Sequence, residues 1–419
     1  MRRSRYSPDA RRGLLLGVLA VVACGGVNAY GPTPPAPTSP EELAAVHAAV
    51  RVPGLEDRRF THRTFWTSVE PYLGGAVTSR VAGESAEGRD IRHLSFGEGP
   101  ATVLLWSQMH GNESTASMAL ADIIRFFHEQ PDHPLARRIA DGATVHMIPM
   151  LNPDGAERFQ RRNAQGIDVN RDARRLQTPE GQVLKAVRDE VDPAFGFNLH
   201  DQSAAVRVGR SDRGVAIALL APAFNAARDV DEKRRRAMQV ATLLIDAVTP
   251  LVGDHVAKYD DTFNPRAFGD LMGAWGASTV LIESGAWEND PQKQYLRKTN
   301  FVGILSALDG IATGRYARYD PSVYESLEYN GRRVTDLLIS GGTIAVPGLP
   351  PLAADAPGRR DCGHRRYGRI GSAGHARCRG ALPHSVGGRA GHRRGPERRR
   401  TGTLHCRRRP GRAKRGLPG

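Results

Sequence analysis

At 419 residues the chain is long enough for one large α/β domain with appendages or for two domains, and its formal net charge of +15 first suggests a nucleic-acid or membrane-surface protein. The charge is local: residues 353–419 hold 19 Lys plus Arg against 3 Asp plus Glu, a net +16 that leaves −1 for everything before them. The four cysteines are Cys24, Cys362, Cys378 and Cys406, so the intervening body has neither a disulfide framework nor a cysteine nucleophile.

Residues 1–29 read as an export signal, with Arg2, Arg3, Arg5, Arg11 and Arg12 ahead of an apolar run, Gly13 to Ala23, too short to span a bilayer comfortably. Two endings fit it. Val27-Asn-Ala29 offers a small-residue cleavage site, and Val21-Val-Ala-Cys24 resembles a lipoprotein box, in which the signal ends at 23 and Cys24 is lipidated. The expected location is periplasmic or extracellular, and any membrane contact would come through the signal or a lipid on Cys24. Residues 30–60 follow as a Pro-rich linker and a short helix, Glu41 to Val50.

Residues 61–320 carry the pattern of a catalytic domain. Val77 to Phe96 alternates as a hairpin. The apolar runs Val103 to Trp106, Val145 to Leu151, Phe195 to Leu199, Ile217 to Leu220 and Thr279 to Ile282 alternate with helical periods, which predicts a buried, mostly parallel sheet with helices on both faces. Residues 321–352 begin a small β appendage around Asn330-Gly331 and Gly341-Gly342. The 67 residues 353–419 lack Phe, Trp, Met, Asn and Gln, so this Arg/Gly-rich tail cannot bury enough apolar surface to order itself. Its abrupt composition also fits translation in a wrong frame. Arg398-Arg-Arg400 and Arg407-Arg-Arg409 suit phosphates, but Tyr367 is the tail's one aromatic residue, so no specific nucleic-acid partner is expected.

Polar residues gather where the predicted strands end. His110 and Glu113 follow the first run, Asn152-Pro-Asp-Gly155 the second, His200 the third and Glu283 the last. In open α/β sheets ligands bind outside the carboxyl ends of the strands, so these residues can share one crevice. Two histidines and a glutamate suit zinc in an open catalytic site. Taken singly, His-x-x-Glu is a weak motif and His200 reads more readily as a core histidine; their joint occurrence in order is the specific signal.

At Asn152-Pro-Asp-Gly, Arg161-Arg-Asn-Ala-Gln-Gly-Ile-Asp-Val-Asn-Arg171 and Phe197-Asn-Leu-His-Asp201, the chain resembles the zinc carboxypeptidase family over about Ser95 to Ala307. The resemblance implies a three-layer α/β/α sandwich, one Zn2+ per chain held by His110, Glu113 and His200, and peptide or protein C-termini as partners. It implies that Asp168 steadies a ligand histidine, that Glu283 is the general base and that Arg161, preferred over its neighbour Arg162 from its spacing to Asn163 and Gly166, stabilises the oxyanion. Asn170 and Arg171 would read the terminal carboxylate. Tyr259 matches the family's mobile tyrosine by position alone. Asp172 departs from the family pattern and is expected to modify substrate binding. Amidohydrolases that deacylate N-acyl amino acids share much of this pattern, and they and cell-wall peptide cleavage are the alternatives. Oligomeric state is not legible.

Overall fold

In the computed structural model, residues 36–333, 337–344 and 350–358 are described. The expected export signal, Cys24 and tail residues 359–419 lie outside them. The elements run α1 (Pro40–Val50), α2 (His62–Val69), β1 (Val77–Glu84), β2 (Asp90–Phe96), β3 (Ala101–Ser107), α3 (Thr115–Glu129), α4 (Pro134–Gly142), β4 (Ala143–Ile148) and α5 (Pro153–Glu157). They continue with α6 (Pro179–Val191), β5 (Phe195–Asp201), β6 (Val206–Val208), β7 (Ile217–Leu220), α7 (Glu232–Val252), β8 (Val256–Lys258), α8 (Phe268–Ala274), β9 (Ser278–Ser284), α9 (Gln294–Ala312), α10 (Pro321–Glu325) and strands β10 (Asn330–Arg333), β11 (Leu337–Ile344) and β12 (Leu352–Gly358).

Eight strands form one sheet in the order β1-β2-β4-β3-β5-β9-β7-β8. Its centre, β4-β3-β5-β9, is parallel, while β2 joins β4 and β7 joins β9 antiparallel. The sheet is therefore mixed. β3 shows how it is buried on both faces: Val103 and Leu105 enter a core with α3, α7 and α9, whereas Leu104 and Trp106 enter a second core with Val183, Leu184 and Val187 of α6 and Phe268 and Met272 of α8. That is the expected three-layer arrangement.

Local chemistry explains the helix starts. Ser39 and Glu42 make a reciprocal capping box at α1, and Thr178 caps α6 through Gly181 N with Pro179 at the first turn. The segment expected as linker and short helix differs from that description beyond residue 40: Leu43, Val50, Val52, Leu55 and Phe60 are buried in the larger core. Asp122, fully buried on α3, accepts from Val52 N, from Arg297 on α9 and contacts His47 on α1, tying the segment down. A polar residue with several partners looks local in sequence and cannot announce this.

Two strands were not anticipated. β6 and β8 are three residues each, too short to show a period, and β6 pairs with β10 of the appendage. The appendage itself extends past its expected end at 352, because β12 runs to Gly358 paired with β11. Among the described residues no helix is long and apolar enough to cross a membrane.

Candidate active site

β3 ends at Ser107, and the chain then turns sharply through Gln108, which has φ of 53°, before α3 begins. The turn is braced from α5. Asn152 donates through Nδ2 to Met109 O and accepts from Gly155 N, while a Cβ on Gly111 would stand 1.9 Å from the Gly155 carbonyl carbon. Only glycine fits there. Asp154, fully buried, accepts from Ser85 Oγ, Glu87 N and Arg89 Nη1, so Asn152-Pro-Asp-Gly locks the β1–β2 hairpin as well as the His110 turn.

His200, on β5, is paired in register with Glu283 on β9. His110, Glu113 and His200 are all buried, and one ligand atom from each lies within 4.8 Å of the others. The facing atoms are the Nδ1 of both histidines: His110 Nδ1 is 2.9 Å from Glu113 Oε1, and His200 Nδ1 is 2.7 Å from Glu113 Oε2. Burial alone would raise the Glu113 carboxyl, but the two histidines outweigh it and hold it well below the usual range. Two imidazole nitrogens and an ionised carboxylate converging at this spacing suit a borderline-soft divalent cation such as zinc.

Asp168 accepts from His110 Nε2 at 3.0 Å and from Arg161 Nε at 3.0 Å. Burial opposes its charge, yet His110 and Arg161 keep it well below its ordinary value. Arg161 also reaches Glu113 Oε1 at 3.2 Å, whereas its neighbour Arg162 donates to Gly166 O on the surface. Asn170 is held by Phe268 N on Oδ1 and places Nδ2 3.3 Å from His200 Nε2. Arg171 donates to Asn170 O. His110, Glu113, His200, Arg161, Asn170, Arg171, Tyr259 and Glu283 line one cavity of about 660 Å³, with Asp168 behind it.

Glu283 is raised well above the ordinary carboxyl value, first by burial and then by the charges of Glu113 and Asp201. Tyr259 is pushed up to about 12 by burial and then by Glu283 and Glu113, so its hydroxyl stays protonated. Asp172 is not on the cavity. Its Oδ2 accepts from Thr178 N and Oγ1 at 2.7 and 2.8 Å, so the residue expected to modify substrate binding holds the cap residue of α6 instead.

The same cavity also takes Arg58, Asp201, Asp270 and Lys293. Burial pushes the Asp270 carboxyl up to about 6. Asp201 ends the motif Phe197-Asn-Leu-His-Asp201 without a role of its own, and nothing marked Arg58 or Lys293, since the three come from distant segments and no short spacing joins them.

The fold and site together define an α/β/α domain with a two-histidine, one-glutamate cluster that could hold a metal ion at the ends of parallel strands. Residues 66–191 match the family model described as zinc carboxypeptidase. The matched stretch holds the His110–Glu113 turn and Arg161 to Arg171, and it is 126 of the 419 residues. A zinc carboxypeptidase of Saccharothrix mutabilis subsp. capreolus is 33% identical over 82 residues, 18% of this chain and 19% of that protein. Carboxypeptidase Z of Mus musculus is 27% identical over 140 residues, 27% of this chain and 21% of that protein. The chain therefore spans about a fifth of the length of these relatives. The crystal structure of thrombin activatable fibrinolysis inhibitor superposes with a TM-score of 0.50 at 12% identity, over 66% of this chain and 83% of that one, a likeness of fold.

Proposed function

We propose that the protein is a zinc-dependent carboxypeptidase that releases single residues from peptide C-termini. The observation that carries this reading is the placement of Glu283, Arg161 and the Asn170-Arg171 pair in one cavity around the His110, Glu113 and His200 cluster. One zinc ion per chain would be held by those three side chains, supplying Lewis acidity toward the scissile carbonyl and toward water.

The chain's own groups do the rest. Arg171 receives the terminal carboxylate with its guanidinium, and Asn170 donates beside it. Glu283 takes a proton from the attacking water and returns it to the leaving amine. A carboxyl raised by burial is better matched to that exchange near neutral pH than an exposed one. Arg161 meets the negative charge that develops on the carbonyl oxygen. Asp168 keeps the His110 Nε2 proton engaged, which turns Nδ1 toward the cation. Tyr259, protonated through the neutral range, donates to the bound substrate.

Mass spectrometry of a mixed peptide pool, incubated with the purified full chain with and without a zinc chelator, tests the reading. Chelator-sensitive loss of single C-terminal residues is expected. Intact peptides alongside hydrolysed N-acyl amino acids or cell-wall fragments would transfer the activity to the alternative substrates. Export rests on the basic and apolar start at residues 1–29 alone, and fusing that segment to a reporter active only outside the cytoplasm tests it.

A further inference from the structure

Lys293 is out of place as an ordinary helix-start residue. It precedes α9 in the left-handed region at φ 56°, caps nothing with its side chain and is only 5% exposed. A buried ammonium costs several kcal/mol unless it is paired, and a left-handed backbone at a residue other than glycine adds strain. Asparagine or glycine would begin α9 with less cost.

Its partners explain what the cost retains. Nζ donates to Ser284 O at 2.8 Å and pairs with Asp201 Oδ2 at 3.3 Å. Asp201 and Ser284 are opposite one another at the ends of β5 and β9, each one residue beyond the functional pair His200 and Glu283. Asp201 is further gripped on the same oxygen by Thr115 Oγ1 at 2.8 Å and Arg58 Nη2 at 3.3 Å, and its backbone N–H donates to Glu113 Oε2 at 3.2 Å. Lys293 thus reaches one step from the metal-facing residues on one side and one step from Glu283 on the other. Among the described residues, the Glu283 carboxylate has no hydrogen-bond donor of its own, so its position depends on the backbone that carries it. Just beyond it, a Cβ on Gly285 would stand 1.9 Å from Val215 O, so this strand end tolerates little displacement.

We propose that Lys293 is a positioning residue for hydrolysis: its ammonium ties the ends of β5 and β9 together and fixes the separation of His200 and Glu283 across the substrate. This rests on the carboxypeptidase reading of the site. Outer partners of metal sites commonly change activity by about 10- to 100-fold when removed, and Lys293 belongs in that range.

The test compares the full-length wild type with Lys293→Met and Lys293→Arg. Three quantities are read: steady-state peptide hydrolysis, metal stoichiometry, and the visible absorption of the Co2+-loaded protein, which reports ligand geometry without turnover. Lys293→Met should lower kcat about 10- to 100-fold with KM within about twofold, keep one metal and shift the Co2+ spectrum. Lys293→Arg should recover most of kcat and the wild-type spectrum. Wild-type kcat and spectrum in Lys293→Met overturn the proposal, and so does equal impairment of both variants in kcat, KM and melting temperature, which marks a purely structural lysine. If Lys293→Met does not fold, Lys293→Gln carries the same comparison. If the wild type releases no C-terminal residue, the carboxypeptidase reading fails separately, and the Co2+ spectra still decide the position of His200: no shift overturns the role of Lys293.

Discussion

Asp168 accepts a hydrogen bond from His110 Nε2 at 3.0 Å and, on its other oxygen, from Arg161 Nε at 3.0 Å. One carboxylate therefore sets the ring of a histidine in the candidate metal cluster and the place of the cavity's exposed guanidinium. Asp168→Ala should weaken zinc affinity about 10- to 100-fold and also lower kcat, because both orientations relax together. A chelator competition titration measures the affinity, and an unchanged Kd would contradict the coupling.

Glu283→Gln keeps the shape of the side chain and removes its ability to take a proton. Turnover should fall about 10²- to 10⁴-fold while bound zinc stays at the wild-type level. Zinc content by elemental analysis beside peptide kinetics checks this; normal turnover would show that the proton goes elsewhere.

Gly111 has no room for a Cβ beside the Gly155 backbone. Gly111→Ala should push the His110–Glu113 turn off α5, costing about 1–3 kcal/mol and much of the zinc affinity. Thermal unfolding and metal content report it, and a variant matching wild type in both would mean that α5 yields instead.

Asp122 compensates Arg297 with hydrogen bonds of 2.7 and 2.5 Å, and both side chains are fully buried. Asp122→Ala strands that guanidinium without its charge partner, and a loss of about 3–5 kcal/mol follows. Urea unfolding measures the loss. Activity per folded molecule should survive, since the pair joins α1, α3 and α9 and does not line the cavity.

Asp270 has a folded-state pKa raised by burial to about 6, against an ordinary 3.8. The sign follows: its protonated form suits the fold, so its contribution is full below about pH 4 and is lost as pH rises through 6. The difference is on the order of 2–3 kcal/mol. Asp270→Asn should therefore gain stability relative to wild type by that order between pH 4 and pH 7, in urea unfolding of chelated protein. A constant difference between the two proteins across that range would rule it out.

Much of the sheet was legible because its central strands are apolar runs bounded by polar residues, and β3, β5 and β9 lie where those runs predicted. β6 and β8 were not, being too short for any period. Asp172 illustrates the opposite difficulty: adjacent to Asn170 and Arg171 in sequence, it holds Thr178, the cap of α6, and does not line the cavity.

By itself the sequence determined the residue types, the order of the motifs and the positions of the strand ends, since local periodicity and turn chemistry act over a few residues. Which polar side chains share one buried volume was decided only by the tertiary structure. Arg58, Asp201 and Lys293 come from a presumed linker, a strand end and a helix start. They meet because a charge removed from water must find its partner in space, however far apart the two stand in the chain.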